Sequence, residues 1–231
     1  MEITPSKSSS VIKLPEPEID WEYQSQQYGV ALAAAVSLFA ILSVYLFFRR
    51  GYYDLYIANK IFAGAAAILL GIVLLIGPLS RLFSFPDRYV QYRKELGIVA
   101  FFLALIHGIV SFFFLPSKFP LSRFLGTLNW PFVFGLTATA ILIAIFFISN
   151  DRAMIAIGRE RWWRLQYWGV RLVFAFVLLH VFVMKWDGWV GWYKTGGSRE
   201  LVRPEWPDAG ILVGWFMVFV VLVRLAEFIS P

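Results

Sequence analysis

The sequence predicts an all-α protein, a polytopic membrane bundle of six transmembrane helices. Three observations carry this prediction. Hydrophobic residues make up 59 % of the 231 positions and charged residues only 16 %, outside the range of ordinary soluble domains. The apolar residues are gathered into runs of roughly 20, the length a helix needs to cross the hydrocarbon core. Aromatic residues reach 19 % of the chain and fall largely near the ends of those runs, as an interfacial belt would.

Residues 1–27 read as an extended or disordered tail. Pro5, Pro15 and Pro17, the run Ser8-Ser9-Ser10 and the acids Glu16, Glu18 and Asp20 leave it no apolar face to bury. No apolar stretch precedes residue 28, so a cleavable signal peptide is not expected. The remainder, 28–231, reads as one membrane domain with spans at Tyr28–Phe48, Ile61–Phe83, Glu95–Leu115, Pro131–Ser149, Leu165–Lys185 and Ala209–Phe228. Pro78 is expected to kink or end the second span. Pro116 and Pro120 close the third, because proline removes a donor and disfavours helix at the preceding residue. Pro131 suits the first turn of the fourth, where its missing N–H costs nothing. The one long connection, Trp186 to Pro207, holds Trp186, Trp189, Trp192 and Trp206 and is expected to lie on the membrane surface as an aromatic anchor.

Composition also excludes. The chain has no cysteine, which removes disulfides, thiolate metal sites, iron–sulfur clusters and covalent c-type haem attachment. There is no G-x-G-x-x-G and no extramembrane segment large enough for a nucleotide domain. The formal charge of +6 is spread over several loops, which suits contact with lipid and not a nucleic-acid stripe. Basic residues are nearly balanced between the two sets of loops, so charge alone leaves the orientation open.

The chain has two histidines, His107 and His180, and each lies deep in an apolar run. An ionisable group there is a functional-site candidate. The third and fifth spans run in the same direction. His107 lies about 13 residues past Lys94 and His180 about 16 past Arg164, so at 1.5 Å per residue they differ in depth by about one turn. Two imidazoles at one level are an axial ligand pair for a single haem, whose iron takes one from each face. Packed, hydrogen-bonded histidines between helices are the alternative. Ala100, Ala104, Gly108 and Ser111 beside His107 leave room for a planar ligand or for close helix packing. Val173, Phe176, Val177 and Met184 share the face of His180 and form an apolar wall, with Met184 an alternative ligand or a core methionine.

A second haem would need ligands about four turns away. Arg93 and Gln166 each lie 14 residues before a histidine, roughly 21 Å along the axis and on nearly the same face. Those positions hold arginine and glutamine, so the sequence permits one bis-histidine haem and not two. Arg93, Lys94, Arg164 and Gln166 are instead a candidate polar entry site for an electron donor. Arg171 points away from His180 and is expected to snorkel to the interface.

Four stretches carry a family resemblance. They are Gly77-Pro78-Leu79-Ser80-Arg81-Leu82; Tyr92-Arg93-Lys94-Glu95-Leu96-Gly97 leading to Leu105-Ile106-His107; Ser149-Asn150-Asp151 through Gly158; and Arg161-Trp162-Trp163-Arg164-Leu165 leading to Leu179-His180. In order and spacing they resemble the ferric-reductase-like transmembrane domain family, in particular its MsrQ (YedZ) type of membrane haem subunit. The resemblance implies a b-type haem held by His107 and His180, electron transfer through a bacterial inner membrane, and a cytoplasmic N-terminus. Members of that type typically have histidine where this chain has Gln166, which is a departure.

The expected function is therefore a membrane b-type haem protein, an oxidoreductase component, that passes electrons across the bilayer. Its donor would be a quinol or a separate flavoprotein, with a quinone or FMN as a further cofactor and a redox partner on the far side. Two alternatives stay open: a haem-free membrane subunit or small transporter that keeps the fold, and a terminal ferric or cupric metalloreductase.

Overall fold

In the computed structural model the described residues are 21–83, 87–126, 128–197 and 200–229, and all their regular structure is helical. The chain runs α1 (Trp21–Arg50), α2 (Leu55–Leu82), a 3₁₀ turn (Asp87–Tyr92), α3 (Arg93–Ile109), a π-helical turn (Val110–Phe114), α4 (Leu121–Gly126), α5 (Trp130–Ile148), α6 (Asp151–Ile157), α7 (Arg159–Thr195) and α8 (Ala209–Ile229). Six segments are long and apolar enough to cross a membrane: Trp21–Arg50, Leu55–Arg81, Asp87–Phe114, Trp130–Ile148, Arg159–Thr195 and Ala209–Ile229. The protein is an integral membrane protein. Outward side chains such as Phe147, Trp215 and Phe113 are exposed and meet lipid.

Local signals set the helix ends. The first helix begins at Trp21, seven residues before the expected start, because nothing after Pro17 breaks it; residues 1–20 lie outside the described residues. It ends at Gly51, whose positive φ of 77° turns the chain while its N–H caps the Phe47 carbonyl at 2.8 Å. Asp54 starts α2 by accepting from the Ile57 N–H at 2.8 Å. Asn129 and Asn150 do the same for α5 and α6. The buried Pro78 does not end α2, which continues to Leu82; the packed bundle holds the backbone helical past the lost bond.

Helix α2 is the axis of the bundle. Two thirds of its apolar window is buried, against about a quarter or less for every other span. It packs on α1, α3, α7 and α8, while α5 packs along α7. The core runs through Ile57, Ile61, Leu69, Leu70 and Val73 of α2 to Met217 and Val220 of α8. Gly71 is where α2 and α8 close up, since a Cβ there would overlap the Phe216 ring and lie 3.2 Å from Val220.

The fifth span needs correcting. It was expected to stop at Lys185, yet α7 continues to Thr195, 37 residues or about 56 Å. No proline interrupts it, and the first effective stop is the positive-φ pair Gly196-Gly197. Half of the expected surface loop is therefore helix. Its tryptophans are largely committed to the protein: Trp189 packs on Gly210 and Gly214, Trp192 Nε1 donates to Pro204 O at 3.0 Å, and Trp206 stacks on Tyr45 at 5.3 Å. Trp186 alone of the four is exposed.

The connection into α8 is latched to α1. Arg49 donates through Nε to Trp206 O at 2.9 Å and pairs with Asp208 at 3.5 Å, and Asp208 accepts from the Gly210 N–H at 2.9 Å. Burial would raise the Asp208 carboxyl, but Lys60, the Gly210 N–H, Lys185 and Arg49 together hold it below its ordinary value.

Two stability predictions follow from this packing. Gly71→Ala forces Phe216 out of place and should cost about 1–3 kcal/mol, read as a fall of several degrees in the thermal midpoint in detergent. Because the folded Asp208 carboxyl is depressed, its contribution is present above the unfolded value near 4 and is lost as pH falls through the folded value. Asp208→Ala should therefore lower the thermal midpoint at pH 7 by the equivalent of ~2 kcal/mol. The gap from the unsubstituted protein should narrow below about pH 4 and close beneath the native value.

Candidate cofactor site

His107 sits in the last turn of α3, three residues before the π-helical turn begins at Val110. Its Nδ1 lies 3.1 Å from the backbone oxygen of Asn59 and 3.0 Å from Asn59 Oδ1. A carbonyl oxygen can only accept, so Nδ1 carries the proton and Nε2 of the neutral ring keeps the lone pair. The Asn59 amide is oriented at its other end as well: Nδ2 donates to Ser111 Oγ at 2.8 Å, and Ser111 Oγ donates to His107 O at 2.8 Å. Every donor in this loop has an acceptor, which suits Asn59 being 1 % exposed in the core.

His180 is arranged the same way on α7. Its Nδ1 lies 2.6 Å from Pro131 O at the first turn of α5, which again assigns the proton to Nδ1 and the lone pair to Nε2. Gly135, one turn further along α5, makes this contact possible. A Cβ at 135 would stand 2.9 Å from His180 Nδ1 and 3.1 Å from its Cε1. Among the described residues neither Nε2 has a hydrogen-bond partner.

Both imidazoles line one cavity of about 660 Å³, within the range of small-molecule and cofactor pockets (roughly 300–1,000 Å³). They are close enough to interact electrostatically. The cavity occupies a gap, since α3 packs on α2 and α7 packs on α5 but α3 and α7 hardly touch each other. Gly64, Ala67, Ala104, Gly108, Gly135 and Ala138 keep the space open. Val173, Val177 and Met184 line it as well, whereas Phe176 turns aside to pack near Phe134 at 6.2 Å. One end is polar, with Tyr56, Lys60, Lys118, Lys185 and Asp208.

The donor set decides what can fit. Among the described residues no cluster of three or more His, Asp or Glu side chains could cage a bare ion. Two unprotonated imidazole nitrogens facing an apolar space suit a planar macrocycle that brings its own four equatorial donors. The residues present fit a haem.

Of the expected donor-site residues, Gln166 and Arg164 have side-chain partners. Arg93 approaches Gly77 and Arg224 where α2 and α8 end. Gln166 Nε2 donates to Ser149 Oγ at 2.9 Å on α5. Arg164 is exposed beside Glu160 at 3.6 Å, and Lys94 is exposed. Arg171 bonds Tyr167 O at 2.7 Å and lies over the Tyr167 ring at 3.2 Å. Sequence reasoning missed Asn59, Pro131 and Gly135 as the supports of the two histidines. The legible signal was the polar pair Asn59-Lys60 inside an apolar helix.

Comparison with known proteins identifies the family. No individually curated protein matches the chain. A family model described as "Ferric reductase like transmembrane component" matches residues 62–177, a stretch that includes His107 and stops three residues short of His180. That match covers half of the chain, and the protein belongs to the ferric-reductase-like transmembrane component family.

Proposed function

We propose that the protein is a transmembrane electron carrier that holds one b-type haem between His107 and His180. The observation that carries this reading is the matched pair of imidazoles. They stand on separate helices, each has Nδ1 tied to a carbonyl, and both line one cavity in the gap between α3 and α7. When bound, the haem supplies a one-electron ferric–ferrous couple.

The chain supplies everything else. Asn59 and Pro131 fix the ring orientation and tautomer of each ligand and raise its basicity. The small residues of α2, α3 and α5 shape the slot, and the phenylalanines around it, Phe112, Phe124 and Phe132, keep water out. His107 and His180 would hold the haem from two helices, and the group would supply one-electron transfer there. The donor is a quinol or a separate flavoprotein, because the described residues are membrane helices and short connections with no separate nucleotide domain. With the N-terminus on the cytoplasmic side of a bacterial inner membrane, electrons leave toward a partner at the histidine end.

The test is the absorption spectrum of the protein purified in detergent after expression with ample haem, together with its haem-to-protein ratio. We expect a low-spin b-type spectrum near one haem per chain, fully reducible by dithionite. His107→Ala and His180→Ala should each abolish the low-spin form. Gly135→Val should do the same indirectly, by driving the His180 ring off Pro131 O, and should lose most of the bound haem. A haem-free protein under these conditions would overturn the reading and leave the histidines as packing residues.

A further inference from the structure

We propose that Lys60 and Lys185 bind the two carboxylate arms of the haem, which makes the polar end of the cavity its propionate pocket. This rests on the haem reading above and extends it to two residues at the polar end of the cavity. Lys60 follows Asn59, the partner of His107, and Lys185 lies five residues past His180. Both line the same cavity as the histidines and both are half-buried.

Neither ammonium has a carboxylate within ion-pair distance among the described residues. Lys60 Nζ stands 4.6 Å from the Tyr56 ring centre, and Lys118 Nζ, from the exposed side, stands 5.9 Å from the same ring. The acid that shares the cavity is Asp208, which contacts Arg49 at 3.5 Å and the Gly210 N–H at 2.9 Å and feels Lys60 and Lys185 only from beyond ion-pair distance. Cations thus outnumber anions at this end, inside a low-dielectric wall where an unmatched charge is costly.

A b-type haem carries two ionised carboxylates on one edge of the ring. The cavity offers two imidazole nitrogens for the iron and, on one side of them, two unmatched ammonium groups. The two sets answer the two kinds of polar group on one ligand. Lysine is also suited to the task, because a flexible stem with three donors can follow a flexible carboxylate arm. Lys60 and Lys185 would then set the in-plane orientation of the ring, and His107 and His180 its depth.

The experiment is a titration of the apoprotein in detergent with haem b and with haem dimethyl ester, whose two arms are uncharged. The unsubstituted protein should bind haem b more tightly than the ester by at least about tenfold for each lysine engaged. In Lys60→Gln/Lys185→Gln the haem b affinity should fall to that of the ester, while the ester affinity and the low-spin spectrum stay unchanged. Lys60→Arg/Lys185→Arg should restore the preference, and Lys118→Gln should leave it intact. A double glutamine variant that still takes up low-spin haem and still prefers haem b as strongly would overturn this proposal while leaving the haem reading standing. An unsubstituted protein that binds neither form in a low-spin state would overturn both.

Discussion

An imidazole N–H inside a membrane helix bundle must find an acceptor, and the acceptors it finds decide what the other ring nitrogen can do. Here both histidines spend Nδ1–H on carbonyl oxygens of a neighbouring helix, His107 on Asn59 and His180 on Pro131. Each bond spares a buried donor from going unmatched, a loss worth roughly 1–3 kcal/mol. The same bond leaves the lone pair on Nε2, in two residues that line one cavity. Structural satisfaction and ligand competence are thus one arrangement seen from two ends of the ring.

The rest of the architecture serves that arrangement. Asn59 can hold His107 only if α2 is rigid at that depth, and α2 is the helix buried on most sides. Its neighbours α1, α3 and α8 close around it through small residues and fitted rings such as Gly71 against Phe216. On the other wall α5 and α7 pack along each other, and Gly135 lets the His180 ring lie against the α5 backbone. Two tightly packed helix groups with little contact between α3 and α7 leave a slot where packing alone would have closed one. Asp208, tied to Arg49 on α1 and capping α8, fastens the polar end of that slot.

How much of this could be read from the residues depends on the range of the interaction. The six spans follow from apolar run length, because no other structure satisfies the backbone in hydrocarbon. The pairing of His107 with His180 follows from direction and rise per residue alone. The helical extension of α7 through Trp186 and Trp189 was hidden, because tryptophan-rich sequence at a membrane edge reads equally as loop or as helix until packing against Gly210 and Gly214 is known. Gly135 and Pro131 were hidden for the same reason, since their role exists only once α5 lies beside α7. Asn59-Lys60 was half legible, as a polar pair in an apolar helix, but its partners Ser111 and His107 lie some 50 residues away.

The far end of the bundle is built differently. Arg93 and Gln166 stand there, each 14 residues before a histidine. Gln166 bonds Ser149 on α5, so its side chain turns toward the helix that α7 packs against. Arg93 lies against Gly77 and Arg224, where Arg224 and Arg81 already share Glu227 at 2.6 and 2.8 Å. That end holds the Arg81, Arg93 and Arg224 guanidinium groups and the Glu227 carboxylate, whereas the other holds the cavity lined by His107 and His180. Charge and space are therefore distributed asymmetrically along the bundle axis. Between the two ends lies the packed core, with Phe101 stacked on Phe146 at 4.3 Å.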